Sequence, residues 1–219
     1  MMNIKENKVL ERGLVAVAVT LAILVVDQII KISVKTNMSL GEAIKITDWF
    51  YIYFIENNGM AYGMTFVNKL ILSLFRMVAI GFIAVFIYKV VRSRARWGYL
   101  VCLAMVLAGA AGNLIDCMFY GLIFDASTHY SVSHFVDFGT GYSQFLYGKV
   151  VDMLYFPIID TTLPEWIPIW GGSDFVFFSP IFNFADACIC TGVALLLLFY
   201  RDELEHIGQV WKSNPIIHG

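Results

Sequence analysis

The stretch from Gly98 to Cys117 reads GYLVCLAMVLAGAAGNLIDC and has no charged residue before Asp116. About 20 mainly apolar residues are enough for a helix to cross the hydrocarbon core of a bilayer. Three more stretches of similar character occur at about 14–34, 70–90 and 181–200. Together with the stretch at about 98–117, they predict an all-α membrane protein with four transmembrane helices.

The composition of the whole chain agrees with this prediction. Its 219 residues are 59% hydrophobic and only 15% charged, and the mean hydropathy is +0.72, outside the range of ordinary soluble domains. The formal net charge of -2 provides no basic field for nucleic acid, so we expect no nucleic-acid partner. We predict a single membrane-embedded domain over residues 1–219, with external segments at 35–69 and 118–180.

The first apolar stretch follows Lys5, Lys8 and Arg12, and a basic segment before an apolar run is also typical of a cleavable signal peptide. However, no small-x-small cleavage site follows Val26, and the chain runs straight into Asp27. We therefore predict that this stretch is a retained transmembrane helix.

The loop between the second and third spans indicates the orientation. Arg92, Arg94 and Arg96 make it the most basic stretch of the chain, and cytoplasmic loops carry an excess of Lys and Arg. Because four spans return the chain to its starting side, we expect both termini to be cytoplasmic as well. The segment 118–180 has Lys149 as its only Lys or Arg, as expected of an external segment.

Strongly polar residues interrupt the apolar spans, although a charge at the centre of a membrane helix costs roughly 2.5 to 3.5 kcal/mol. In the predicted orientation they all fall in the outer leaflet: Asp27, Lys31, Arg76, Asn113, Asp116, Asn183 and Asp186. Spacings of three or four residues place Asp27 with Lys31, and each Asn with the Asp that follows it, on one helical face. We expect these groups to line a partly hydrated cavity open to the outside.

Structural alternatives stay open for some of these residues. Asp27 and Lys31 are also consistent with an ion pair that only orients the end of the first span, and Arg76 is also consistent with a side chain that reaches up to the interface. The aromatic residues of the external segments favour the headgroup level of the bilayer. Phe50 to Ile55 is β-prone and ends at Asn57-Asn58-Gly59, which predicts a short strand or hairpin.

Five segments carry a more specific signal: DQIIK at 27–31, NNGMAYG at 57–63, GNLID at 112–116, VDM at 151–153 and FNFAD at 182–186. Each is weak alone, but together and in this order they resemble the lipoprotein signal peptidase family, also called signal peptidase II. The resemblance covers nearly the whole chain.

The resemblance implies an aspartyl endopeptidase whose catalytic dyad is Asp152 and Asp186. It also implies four substrate-binding residues, which are Asn57, Asn113, Asp116 and Asn183. Asp27 and Lys31 are implied to be a supporting pair. The family's fold adds a small external β-cradle from residues 49–63 and an outer half-helix before Asp152.

The substrate implied by the resemblance is a prolipoprotein whose cysteine already carries a diacylglyceryl group, cut just before that cysteine. We expect a multi-pass protein of the bacterial inner membrane, with its active site toward the outer face, membrane lipids as further partners and a monomeric state. No cofactor or metal is expected, because one ionised and one protonated carboxyl are sufficient for peptide hydrolysis.

The chain departs from the family pattern in two respects. Cys117 occupies a position where the family usually has an Arg, so a cationic partner is missing, and Arg76 and Lys149 are candidates to replace it. The segments 120–152 and 157–180 are also longer than the pattern requires, and we interpret them as elaborations of the outer surface.

Other chemistries have weaker support. His129 and His134 lie in a polar external stretch without further ligands, so we predict a solvated loop and no metal site. A serine or cysteine protease is disfavoured because no His lies near a predicted nucleophile. An ion- or proton-coupled transporter with relay sites at Asp27, Asp116 and Asp186 predicts polar residues at both leaflets and an internal repeat, and the sequence has neither.

Overall fold

The computed structural model describes residues 4–58, 69–93 and 95–208. The chain divides into two compact units. The helical unit comprises Met1–Ile29, Asn68–Ile115 and Phe184–Gly219, and the sheet unit comprises Ile30–Val67 and Asp116–Asn183. The single domain expected over residues 1–219 stays a prediction, and each unit is described in turn.

The helices account for most of the described chain. In chain order they are α1 (Ile4–Asn37), α2 (Lys69–Arg92), α3 (Trp97–Ile115), α4 (Gly121–Ile123), α5 (Phe184–Phe199) and α6 (Arg201–Glu205), with a π-helical turn at Asp116–Tyr120. Among the described residues, three helical stretches are long and apolar enough to cross a membrane: Glu6–Asn37, Lys69–Arg92 and Trp97–Ile123. These match the first three predicted spans.

The fourth predicted span, 181–200, corresponds to the shorter apolar helix α5, which has 16 residues. The helix begins later than predicted because Ile181 and Phe182 form a short strand instead. Its length alone does not establish a fourth membrane crossing, since a spanning helix usually needs about 17 to 25 residues.

The core of the helical unit lies between α2, α3 and the apolar part of α5. Val90, Leu100 and Ala104 are completely buried there. Helix α3 also approaches α5 closely, because a Cβ atom at Gly109 would collide with the carbonyl oxygen of Ala185. Small residues are the usual means by which membrane helices come into such close contact.

The sheet unit contains a four-stranded antiparallel sheet of order β1-β2-β3-β6. Its strands are β1 (Ala43–Thr47), β2 (Phe50–Asn57), β3 (Val150–Tyr155) and β6 (Ile181–Phe182), while β4 (Ile159–Thr162) and β5 (Asp174–Phe177) form a separate ribbon. The strand predicted from Phe50 to Ile55 is confirmed as β2. The remainder of the predicted motif, Gly59 to Gly63, lies outside the described residues.

Alternation along strand β3 places Asp152 on the face opposite to Val151 and Met153. Val151 and Met153 are completely buried in a core that also contains Met38, Phe54, Tyr120 and Phe124. Because successive side chains of a strand point to opposite faces, Asp152 faces away from that core.

The half-helix expected before Asp152 is not found in the described residues 124–149, and Asp152 lies on a strand. The backbone of this segment instead hydrogen-bonds the last carbonyl groups of the preceding helical turns. Gly148 N donates to Cys117 O at 2.9 Å and Ser143 N donates to Gly121 O at 2.8 Å. Helix ends leave carbonyl groups without intrahelical partners. Backbone N–H groups of this segment bind such carbonyl groups and are then not available for helical hydrogen bonds within the segment.

Candidate active site

Asp152 is almost fully buried, with 1% of its surface exposed. Both of its carboxylate oxygens accept a hydrogen bond from a side-chain amide. Asn57 Nδ2 donates to Oδ2 at 3.1 Å, and Asn183 Nδ2 donates to Oδ1 at 2.6 Å. Burying a carboxylate is costly unless it is hydrogen-bonded, so the two amides both stabilise Asp152 and fix its orientation.

The register of β2 against β3 explains why Asn57 reaches Asp152. Ile55 lies directly opposite Asp152 and Asn57 lies opposite Val150, so Asn57 and Asp152 are diagonal neighbours on one face of the sheet. The register shifts between Ile52 and Ile55. Since a one-residue shift moves side chains to the other face, this bulge places Asn57 on the same face as Asp152.

Asp186 lies in the first turn of α5 and is half-buried. Asn113, near the end of α3, donates from Nδ2 to Asp186 Oδ1 at 2.7 Å. The close approach of α3 to α5 at Gly109 makes this contact possible. The amide of Asn113 therefore orients this oxygen of the Asp186 carboxylate.

Asp27 stabilises the beginning of α5, the helix that carries Asp186. Its Oδ1 accepts a hydrogen bond from Ala185 N at 3.0 Å, one of the amide groups that a helix start leaves without an intrahelical partner. A negative charge at this end is also favoured by the helix dipole. A Cβ atom at Gly112 would lie 2.6 Å from Asp27 Oδ2, so glycine is needed there to admit the carboxylate.

Asp116 has a different environment from the other acidic residues. Lys31 Nζ lies 2.9 Å from Asp116 Oδ2, and both side chains are completely buried. The same oxygen accepts a hydrogen bond from Val151 N at 3.4 Å. Asp116 is therefore held by an ammonium group and in turn holds the backbone of β3 beside Asp152.

The sequence offered Arg76 and Lys149 as cations that could compensate for Cys117. Cys117 is buried, and the ion pair of Asp116 is with Lys31, not with Lys149, which lies 2.8 Å from Glu56. Lys149 therefore pairs with Glu56 in the sheet unit. The replacement of the missing Arg by Arg76 or Lys149 stays a prediction.

A buried charged cluster on the core face of the sheet was missed by the sequence analysis. Glu56, on β2, is 3% exposed and pairs with two lysines: Lys35 Nζ lies 2.6 Å from Oε1 and Lys149 Nζ lies 2.8 Å from Oε2. Ser127 Oγ donates to Oε1 at 2.9 Å and accepts from Lys35 at 2.8 Å. The signal available in the sequence was a glutamate directly before Asn57 in a β-prone run.

Electrostatics in this cluster favour the charged form of Glu56. Burial raises the pKa of Glu56, but Lys35 and Lys149 lower it more, and the pKa lies below its ordinary value. Burial raises the pKa of the neighbouring Tyr142 phenol well above its ordinary value, so this hydroxyl stays protonated. The cluster anchors β2 immediately before Asn57.

The predicted site residues thus fall into groups within each unit. The sheet unit brings Asn57 and Asn183 to Asp152, and Lys31 to Asp116. The helical unit brings Asn113 to Asp186, and Asp27 to the start of the helix that carries it. No group of three His, Cys, Asp or Glu residues in the described part of the chain is arranged to hold a metal ion. His134 lies 3.8 Å from Asp125 instead.

Similarity to solved structures defines the class of fold. Two structures described as bacterial membrane enzymes superpose on this chain with TM-scores of 0.56 and 0.54. They cover 86% and 84% of this chain and 89% and 90% of their own chains, at 20% and 21% sequence identity. The chain therefore has the fold of these membrane enzymes.

Sequence relatives are more specific. The family model described as Signal peptidase (SPase) II matches residues 19–201. Proteins named lipoprotein signal peptidase from two strains of Porphyromonas gingivalis are 49% identical to this chain, over 94% of it and 91% of their own length. One from Amoebophilus asiaticus is 32% identical over 90% of this chain and 82% of its own. The chain belongs to the signal peptidase II family, and the comparisons give no support to the transporter alternative.

Proposed function

We propose that this protein acts as a lipoprotein signal peptidase, an endopeptidase that removes signal peptides from diacylglyceryl-modified prolipoproteins. It cleaves the peptide bond before the lipidated cysteine. The names of the P. gingivalis relatives, at 49% identity over 94% of the chain, support this activity and substrate class.

We assign the catalytic chemistry to Asp152 and Asp186. The observation that carries this assignment is that both are oriented by neutral amides, Asp152 by Asn57 and Asn183 and Asp186 by Asn113. Each amide fixes the carboxylate oxygen that it binds, so both carboxyl groups have a defined orientation.

The proposed reaction uses one ionised and one protonated carboxyl group. The ionised aspartate takes a proton from water while the water oxygen attacks the carbonyl carbon of the scissile amide. The protonated aspartate donates its proton to the carbonyl oxygen. As the C–N bond then breaks, the first aspartate passes the proton it took from water to the leaving nitrogen, and a hydroxyl group of the intermediate returns a proton to the second aspartate. Two carboxyl groups at one site share a proton, because two negative charges close together repel each other and the second group ionises less easily.

The remaining predicted site residues have positioning roles in this proposal. Asn57, Asn113 and Asn183 hold the two carboxyl groups and shape the substrate site. Asp116 acts through the backbone of β3, and Lys31 pairs with Asp116 and holds it in place. Asp27 supports the first turn of α5, so it acts on Asp186 through the helix.

We further propose the membrane arrangement. Helices α1, α2, α3 and α5 are the four spans, both termini are cytoplasmic, and the active site faces the outer side of the bacterial inner membrane. The positive-inside pattern of the loop with Arg92 and Arg96 supports this orientation. The protein works as a monomer surrounded by lipids, and the acyl chains of the substrate lie among those lipids.

The test is cleavage of a precursor peptide by the purified protein in detergent. A precursor with a diacylglyceryl cysteine should be cut immediately before that cysteine, and the same peptide without the lipid should be cut much more slowly. Mass spectrometry of both products locates the bond. Equal cleavage of both peptides would contradict the proposed substrate class, and no cleavage of either would contradict the proposed activity.

A further inference from the structure

The ribbon formed by β4 and β5 has one apolar face and one polar face. The antiparallel register pairs Ile159 with Phe177 and Thr161 with Phe175, and paired residues of a ladder point to the same face. The opposite face carries Asp160, Thr162, Asp174 and Val176. We call residues 159–177 the aromatic ribbon.

The apolar face of the aromatic ribbon is exposed. Ile159, Phe175 and Phe177 are 49%, 40% and 50% exposed, respectively. A two-stranded hairpin by itself is at best marginally stable in water, and it needs a further layer against its apolar face. An apolar surface of this kind on a folded protein usually marks a place where something else binds.

The loop that joins the two strands extends the apolar surface. Trp166, Ile169 and Trp170 are 80%, 93% and 65% exposed. The loop is nevertheless built from regular hydrogen bonds, with Leu163 N donating to Ser173 O and Gly172 N donating to Leu163 O, both at 2.9 Å. Its large side chains are therefore presented to the surroundings by an ordered turn.

The charge and composition of the aromatic ribbon fit a lipid surface. Its charged residues are Asp160, Glu165 and Asp174, and the sequence has no Lys or Arg from Val150 to Tyr200. Attraction to anionic headgroups is therefore not the binding force. Tryptophan is the residue that most favours the bilayer interface, because its ring is largely apolar and its N–H can hydrogen-bond water.

The covalent chain keeps the aromatic ribbon near the bilayer. Only six residues lie between Phe177 and Phe184, the first residue of the apolar helix α5. At about 3.3 to 3.6 Å per residue, a connection of that length reaches at most about 25 Å. A soluble partner would have to compete with the headgroup layer for this surface.

We propose that the aromatic ribbon is a membrane anchor whose apolar face and Trp loop lie in the headgroup layer of the bilayer. The acidic face then points to the aqueous phase. This proposal rests on the proposed membrane arrangement, in which α5 is a span, and does not depend on the catalytic assignment.

The experiment measures the surroundings of spin labels on the two faces in the full-length protein in phosphatidylcholine vesicles. Cys190 is exposed, so the background is Cys190→Ser, and the same background without an introduced cysteine measures labelling of the buried thiols. Labels are attached at Phe177→Cys on the apolar face, at Ile169→Cys in the loop and, as the matched control, at Asp160→Cys on the acidic face. Accessibility to oxygen, which concentrates in lipid, is compared with accessibility to a water-soluble nickel chelate.

The proposal predicts an oxygen-to-nickel accessibility ratio several-fold higher at positions 177 and 169 than at position 160. A high nickel accessibility at all three positions would place the aromatic ribbon in water and overturn the proposal. Labels at 177 and 169 that are shielded from both reagents would indicate a protein partner, and this also overturns it. Vesicles with equal amounts of phosphatidylcholine and phosphatidylglycerol should not place the labels at 177 and 169 deeper in the bilayer. A clear increase in their depth would contradict the apolar binding mode.

A second measurement covers the case in which labelling at 177 disturbs the ribbon. In protein with unaltered strands, Trp166→Phe and Trp170→Phe should each reduce the quenching of tryptophan fluorescence by lipids brominated near the headgroup. Unchanged quenching in both variants would overturn the proposal as well.

Discussion

Lys31 Nζ lies 2.9 Å from Asp116 Oδ2, and both side chains are completely buried. The ion pair joins the end of α1 to the π-helical turn, and Asp116 continues the contact to the backbone of β3 through Val151 N. Removing two charges from water is expensive, and their mutual attraction compensates only when the geometry is good. The pair therefore makes the position of β3 depend on α1.

Asp116→Asn should lower stability and leave measurable turnover. The substitution removes the negative charge that lies 2.9 Å from the buried Lys31 ammonium, and breaking a buried pair in this way typically costs about 3 to 5 kcal/mol. Thermal unfolding in detergent measures the loss, and single-turnover cleavage measures the activity of the folded fraction. Complete loss of activity in a well-folded Asp116→Asn protein would move Asp116 into the catalytic chemistry.

The double variant Lys31→Met, Asp116→Leu is the control for this prediction. It removes both charges and fills the space with apolar side chains. We expect it to be more stable than Asp116→Asn, because neither charge of this buried pair remains without the other.

Asp152→Asn and Asp186→Asn should each abolish cleavage while the protein still folds. Asparagine keeps the shape of the side chain but does not cycle a proton. Because the two residues act as a unit, the double variant should be little worse than either single one. Single-turnover cleavage of a diacylglyceryl-cysteine precursor measures the effect, with circular dichroism as the folding control.

Near-normal cleavage by either folded single variant would exclude the aspartyl dyad.

Asp27→Ala should destabilise the start of α5 by about 0.5 to 2 kcal/mol, the range seen when a helix N-terminus loses its side-chain acceptor. Since Asp186 lies in that first turn, kcat should fall although no catalytic group has changed. Asp27→Asn keeps an oxygen that accepts from Ala185 N and should retain more activity. If Asp27→Asn were as inactive as the dyad variants in a stable protein, a proton-transfer role for Asp27 would replace the capping role.

Glu56→Gln should make stability less dependent on pH. The pKa of Glu56 is lowered in the folded protein, so its stabilising contribution is present above the ordinary glutamate pKa of 4.5 and disappears as the pH falls through the folded value. The variant should unfold at a lower temperature than the wild type at neutral pH, and the difference should shrink in acid. Thermal unfolding as a function of pH measures this.

Asp48→Asn provides the matched control for Glu56. Asp48 also has a lowered pKa, caused by Lys45, but its side chain is 92% exposed, and exposed pairs contribute little to stability. If both substitutions changed the pH dependence of the unfolding temperature equally, burial of Glu56 would not be the cause of its effect on stability.

Cysteine labelling from outside the cell should succeed at Thr140→Cys and fail at Ser93→Cys. Ser93 belongs to the basic loop between α2 and α3, and Thr140 belongs to the segment 118–180 that has one Lys and no Arg. Labelling after permeabilisation of the cells shows that both sites react. The opposite pattern would reverse the proposed orientation and place the active site on the cytoplasmic side.

The sequence predicted the first three helices well because their formation depends on local composition. The spans expected at about 70–90 and 98–117 correspond to Lys69–Arg92 and Trp97–Ile115, since a long apolar run in lipid satisfies its backbone only within the helix. The start of α5 was predicted too early because Ile181 and Phe182 pair with Tyr155 and Leu154 of β3. That pairing joins distant parts of the chain and leaves no local pattern.

By itself, the sequence determined that this is an apolar membrane protein with the motifs of the signal peptidase II family, since length, hydropathy and short motifs are local properties. Only the tertiary structure decided which charges meet. Lys31 pairs with Asp116, and Glu56 lies between Lys35 and Lys149. Asp27 accepts a hydrogen bond from the backbone N–H of Ala185 in α5. The physical reason is that a buried charge must find an opposite charge or a hydrogen-bond donor wherever the fold supplies one, and these partners are far apart along the chain.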